Sequence, residues 1–248
     1  MEAAAAVRRG RRAGIGDIDT KSSATDPVTE IDRSTESLIV ERLLADGPDD
    51  AVLGEESGGR PGRSGVRWLI DPIDGTVNFV YGIPAYAVSI GAESAGDLVA
   101  GVVVDVATGA IYAAARGRGA DGPDGPLAVT TVDDPAGALI GTGFAYRPEW
   151  RRAQATALID LLPAVRDIRR FGSAALDLCA VAAGRLDGYY EVGLEPWDRA
   201  AGTVLVAEAG GTVRELPVPG HDAMVTVAAG PGLIDPLVAL LRTAGAVA

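Results

Sequence analysis

Apolar residues along this chain recur at two spacings, and the alternation between them predicts a mixed order of helices and strands. Ala3 to Ala13 has a short helical pattern. Thr35 to Ala45 has a stronger one, with Ile39 and Leu43, and Val40 and Leu44, paired four apart. Ala51 to Leu53 reads as a strand ending at Gly54. Val66 to Ile70 reads as a short buried strand that Pro72 stops, with the next element starting at Gly75-Thr76. Tyr86 to Ala92 predicts a strand, Leu98 to Val106 and Ala110 to Ala115 a hairpin about Thr108-Gly109, and Gly117 to Pro126 a loop. The second half predicts strands at Ala138 to Thr142, Leu186 to Val192 and Val225 to Ala228. Its helices fall at Glu149 to Leu162, Ala174 to Ala183 with Gly184 as stop, and Leu233 to Leu241. A further helix runs from Asp198, placed as its N-cap, to the Gly210-Gly211 stop.

Composition narrows the chemistry these elements can carry. The 248 residues are 48% hydrophobic, enough for one large globular unit or two closely packed halves, and no low-complexity linker divides them. Histidine occurs once, at His221, and cysteine once, at Cys179, so a zinc site of several such ligands is excluded within one chain. No Gly-x-Ser-x-Gly elbow accompanies His221, which argues against a serine triad. The formal charge of −12 argues against nucleic acid as a partner. No run approaches a membrane span, and one cysteine fits a reducing compartment, so the expectation is a soluble cytoplasmic protein. Carboxylates are left to carry any catalysis.

Two of them stand out. Trp68-Leu-Ile-Asp71-Pro-Ile-Asp74-Gly75-Thr76 delivers a pair of acids, three apart, into a Pro/Gly turn beside backbone N–H groups. Such a turn can hold a cation and a phosphate together; it is also a common surface turn formed for local hydrogen-bonding reasons. Glu55 and Glu56 in Gly54-Glu55-Glu56-Ser57 and Asp198 after Trp197 enlarge the acidic set.

Taken in order, Gly54-Glu55-Glu56-Ser57, Asp71-Pro72-Ile73-Asp74-Gly75-Thr76 and Trp197-Asp198 closing on Gly210-Gly211 resemble the inositol monophosphatase family of magnesium-dependent, lithium-sensitive phosphatases. The resemblance runs from about Thr20 to about Gly211. It implies a layered α/β sugar-phosphatase fold of alternating helix and sheet layers (αβαβα). An N-terminal half, 1–125, would carry Glu55, Asp71 and Asp74, and a C-terminal half, 126–248, would carry Asp198, the two making one catalytic unit. It further implies two or three magnesium ions. Glu55, Asp71 and the Ile73 carbonyl would hold the first, and Asp71, Asp74 and Asp198 the second. Thr76, backed by Asp32, would orient the attacking water, and Gly75 and Thr76 N–H groups would bind phosphate.

Asp74, Gly172, Ser173, Ala174, Glu191 and Asp198 would meet the substrate, with Lys21 and Glu56 as auxiliary groups. Bland readings stay open beside these: Glu191 as a strand-end acid, Ser173 and Asp198 as helix caps, Lys21 as a solvated ammonium, Glu56 as a neighbour of the ligand. Lys21 is nonetheless the one lysine among twenty-two basic residues. The implied reaction is hydrolysis of inositol monophosphate by activated water in a homodimeric enzyme. Fructose 1,6-bisphosphate, histidinol phosphate and 3′-phosphoadenosine 5′-phosphate are alternative substrates, and a regulatory partner of transcription complexes is the alternative of another class.

Overall fold

The computed structural model describes residues 1–14, 18–20, 27–220 and 222–248; Lys21 and His221 lie outside them. The described chain opens with helix α1 (Glu2–Ala13), the short antiparallel pair β1 (Ile18–Thr20) and β2 (Pro27–Thr29), and helix α2 (Glu30–Asp46). α2 starts ahead of the predicted Thr35 because Thr29 caps it. The Thr29 hydroxyl accepts from the Ile31 and Asp32 N–H groups, and Asp32 Oδ2 accepts the Thr29 N–H at 2.9 Å. The capping box consists of polar residues, so apolar periodicity does not register it.

An eight-stranded sheet follows, built from β3 (Ala51–Gly54), β4 (Gly58–Arg60), β5 (Val66–Asp74), β6 (Ala87–Ser94), β7 (Asp97–Asp105), β8 (Ile111–Ala115), β9 (Ala120–Gly122) and β10 (Gly125–Pro126). Its order is β10-β9-β8-β7-β6-β5-β3-β4, antiparallel except where β3 runs parallel to β5. Helix α3 (Thr76–Tyr81) leaves the end of β5. Two expectations are corrected here. Pro72 does not stop β5: the register against β6 shifts between Asp71 and Asp74, so Pro72 falls in a bulge where its missing N–H breaks no ladder bond. The predicted loop at 117–126 contains β9 and β10, whose pairing of Gly125 with Gly122 hides in a glycine-rich stretch.

The second sheet has five strands in the order β12-β11-β13-β15-β14. Its elements are β11 (Leu139–Thr142), α4 (Pro148–Leu161), β12 (Asp167–Arg169), α5 (Ala174–Ala182), β13 (Gly188–Val192), α6 (Pro196–Glu208), β14 (Thr212–Pro217), β15 (Met224–Ala229) and α7 (Ile234–Thr243). β14 carries Arg214 and Glu215 at mid-strand and lies at the sheet edge beside β15, which is why apolar patterning misses it.

Helices α5 and α6 lie between the two sheets, with the central core of Val103, Tyr112, Leu178, Leu186, Tyr189 and Leu205 around them. α1 and α2 cover the far face of the larger sheet over Ile39, Ile70, Ile73 and Phe79. α4 and α7 cover the far face of the smaller one over Ile140, Leu161, Val227 and Leu237. The result is the expected helix, sheet, helix, sheet, helix layering. Among the described residues no helix is long and apolar enough to cross a membrane.

Candidate active site

A cavity of about 940 Å³ opens where the end of β5, the start of α5, the end of β13 and the start of α6 meet. Glu55, Asp71, Asp74 and Asp198 all line it, from three motifs that are far apart in sequence. β5 delivers Asp71 and Asp74, and its bulge lets both turn inward from positions that a regular strand would face in opposite directions. Gly75 makes the next turn possible. It sits at φ 88°, and a Cβ there would come within 2.9 Å of the Ala85 carbonyl and 3.0 Å of the Gly172 carbonyl.

Three of the acids are tethered by hydrogen bonds. Asp71 Oδ1 accepts the Ile73 N–H at 3.0 Å. Asp74 accepts the Ser173 hydroxyl in a short bond and the Ala175 N–H at 2.8 Å, so α5 docks its first turn onto β5. Asp198 is not the N-cap of α6, as expected, but its third residue: Glu195 caps, Pro196 opens the helix, and Asp198 Oδ2 accepts the Glu195 N–H at 2.8 Å. Among the described residues no three acid, histidine or cysteine side chains stand as a finished metal cage. The Asp71 and Asp198 bonds are local and each occupies one carboxylate oxygen, whereas both Asp74 oxygens accept from the start of α5; with Glu55, these hard oxygen donors line one space.

The electrostatics are strained in one direction. Burial, and then the charges of Glu55, Asp74 and Asp198, hold Asp71 well above the usual carboxylate range. Asp198 is raised in the same way by burial, Glu55 and Asp74. Asp74 is pushed up to about 6 by burial, against the pull of Ser173, the α5 N–H groups and Arg170. Crowded acids of this kind favour a divalent cation, which satisfies several carboxylates at once and removes the repulsion.

Thr76 lines the cavity, and its hydroxyl donates to the Ile73 carbonyl at 2.9 Å and reaches Asp32 Oδ1 at 3.4 Å. Asp32 stands behind it, buried, with its other oxygen in the α2 cap. Gly75, Gly172, Ala174 and Glu191 also line the cavity, whereas Ser173 lies just beneath it as the α5 cap and the Asp74 partner. Glu56 does not line it; its N–H and that of Ser57 donate to the buried Glu36 carboxylate at 2.8 and 2.7 Å.

Several groups at the site went unread in the sequence. Glu36 grips the turn carrying Glu55, and its signal was position: it lies one turn beyond Asp32 on the same buried face of α2. Asp177 is buried beneath the cavity, raised to about 9 by burial and by Glu191 and Asp74; a lone acid in the apolar run Ala-Ala-Leu-Asp-Leu-Cys-Ala was its signal. Arg170, and the wall of Phe144, Tyr146, Arg147 and Trp150, line the cavity from segments that had no motif to mark them.

A layered α/β fold with a carboxylate-lined cleft between its two sheets defines a hydrolase of the phosphatase class. The chain belongs to the inositol monophosphatase family, which matches residues 1–239. It is 51% identical over 259 residues to the inositol-1-monophosphatase SuhB of Mycobacterium tuberculosis, covering 96% of this chain and 89% of that protein. The Nus factor SuhB of Escherichia coli is 38% identical over 231 residues, with 90% and 85% covered. Among solved structures, Mycobacterium tuberculosis SuhB superposes with a TM-score of 0.84 at 51% identity, over 99% of this chain and 93% of that one. The Thermotoga maritima IMPase TM1415 superposes at 0.87 with 28% identity, over 98% and 93%.

Proposed function

We propose that this chain hydrolyses inositol monophosphate to inositol and phosphate with two or three magnesium ions held among Glu55, Asp71, Asp74, Asp198 and the Ile73 carbonyl. The observation that carries this reading is the convergence of four acids from three separated motifs on one cavity, with Asp71 and Asp198 raised by burial and by the neighbouring acids. Magnesium, when bound there, supplies the charge that activates water and offsets the charge developing on the phosphate and the departing oxygen. The protein supplies the rest. The Thr76 hydroxyl, with Asp32 behind it, orients the water for in-line attack, and the Gly75 and Thr76 N–H groups hold phosphate oxygens.

Gly172, Ala174 and Glu191 bound the alcohol portion, with Ser173 fixing Asp74 from below and Asp198 beside the departing oxygen. The halves 1–125 and 126–248 act as one catalytic unit, because the cavity takes walls from both. Homodimer formation, lithium inhibition and a cytoplasmic location belong to the same reading. Phosphate release from a panel of inositol 1-phosphate, fructose 1,6-bisphosphate, histidinol phosphate and 3′-phosphoadenosine 5′-phosphate tests it. The highest kcat/KM is expected for inositol 1-phosphate, and a clear preference for another member would replace the substrate.

The relatives called Nus factor SuhB favour a second role, as a regulatory partner of transcription complexes. Capture of transcription proteins from lysate of the source organism by both wild type and a catalytically disabled Asp74→Asn variant would support that role. Capture by neither would remove it.

A further inference from the structure

Tyr189 and Glu191 stand two apart on β13 and therefore face the same side of the sheet, toward α5 and α6. The Tyr189 phenol is fully buried and donates to Glu191 Oε2 at 2.5 Å. Gly143 lies flat against the same carboxylate: a Cβ there would come within 2.0 Å of the carboxyl carbon and of both oxygens. One edge and one face of the carboxylate are thus fixed by parts of the fold that carry none of the acidic motifs, and the group still lines the cavity. A strand-end surface acid needs no such seat. With the phenol on Oε2, the carboxylate keeps further acceptor sites, Oε1 among them, for a donor in the cavity.

We propose that Tyr189 is a positioning residue that sets Glu191 to accept a hydrogen bond from a free hydroxyl on the alcohol portion of the substrate. The site would thereby select phosphate esters of polyols over esters whose alcohol carries no hydroxyl. This rests on the reading above that Glu191 faces the alcohol portion.

Tyr189→Phe keeps the ring in the core and removes only the donor. The measurement is KM and kcat for inositol 1-phosphate and for p-nitrophenyl phosphate, whose alcohol portion has no hydroxyl. The ratio of the two KM values should rise about tenfold, the effect of loosening one hydrogen bond to a charged group, with kcat for the inositol ester changing far less. Asp177 from α5, Asp74 from β5, Asp198 from α6 and Arg170 from the segment before α5 surround Glu191. Its pKa of about 7 reflects burial opposed first by the Tyr189 bond, so the variant should also move the acid limb of the KM ratio to higher pH.

In a Glu191→Gln background, Tyr189→Phe should add nothing, and Gly143→Ala, which attacks the carboxylate from its other face, should raise the same ratio if the Phe variant folds poorly. Wild-type enzyme that cleaves p-nitrophenyl phosphate but no polyol ester would overturn the substrate reading and this inference with it. A preference for the polyol ester that all these changes leave intact, or KM values that rise equally for both substrates, would overturn this inference alone.

Discussion

Replacing Asp198 by Asn separates its structural role from its proposed role with metal. In the fold, Asp198 Oδ2 accepts the Glu195 N–H at the first turn of α6, a bond the Asn carbonyl can also make. The change gives up the charge assistance of that bond and the favourable placement of an anion at a helix N-terminus, about 1 kcal/mol together. Against this, it removes the cost of burying a charge and the repulsion by Glu55 and Asp74, which together hold Asp198 well above its ordinary pKa. The two effects offset, so the melting temperature in chelator should change by no more than about 3 °C. With magnesium at a hundred times its Kd, wild type should gain about 2.7 kcal/mol, or roughly 5 to 10 °C for a chain of this size. A hundredfold weaker site leaves about 0.4 kcal/mol of that, roughly 1 °C. Thermal unfolding of both proteins, with chelator and across a magnesium series, reads these numbers, and phosphate release should show kcat lower by orders of magnitude in the variant. Equal magnesium shifts and near-equal turnover would make Asp198 a capping-box residue only and remove the C-terminal contribution to the site.

Asp177, raised to about 9 in the fold against roughly 4 in the unfolded chain, is neutral when buried. Its contribution to stability is complete below pH 4 and is lost as pH rises toward 9. Asp177→Asn has no proton to lose, so its stability relative to wild type should grow by at most about 1.4 kcal/mol per pH unit between pH 5 and 8; a difference independent of pH would contradict this. Glu36→Gln leaves one acceptor for the Glu56 and Ser57 N–H groups and should cost about 2 kcal/mol, seen as a fall in melting temperature of roughly 4 to 8 °C, with an unchanged midpoint as the contrary result. Lithium at limiting magnesium should slow phosphate release in wild type, and rates unchanged at high lithium would count against a small-cation site at Asp71, Asp74 and Asp198.

The acids that line the cavity were legible because local chemistry marks them. Asp71 and Asp74 sit in a Pro/Gly turn, and Glu55 follows a glycine at a strand end. What escaped was set by tertiary contact. The bulge that carries β5 past Pro72 depends on pairing with β6, which a single strand does not display. Asp198 has the residue type of a cap for α6, but Glu195-Pro196 ahead of it is the better start signal, proline being favoured at the first helical position. Asp177 reads as an ordinary member of an apolar helix, and its relation to Glu191 exists only once β13 and α5 are packed together, whereas Tyr189 shares a strand face with Glu191 by its two-residue spacing alone. Arg170 and the wall from Phe144 to Trp150 have no periodicity or spacing of their own that points to a site.

The measurement that bears most directly on the proposed chemistry is phosphate release from inositol 1-phosphate by purified wild-type protein, first in excess chelator and then with magnesium restored. Turnover should be absent in chelator and should return with magnesium, because the crowded acids at Glu55, Asp71, Asp74 and Asp198 repel a phosphate's negative charge unless a cation is held among them. Equal turnover with and without magnesium would contradict the assignment of those four carboxylates.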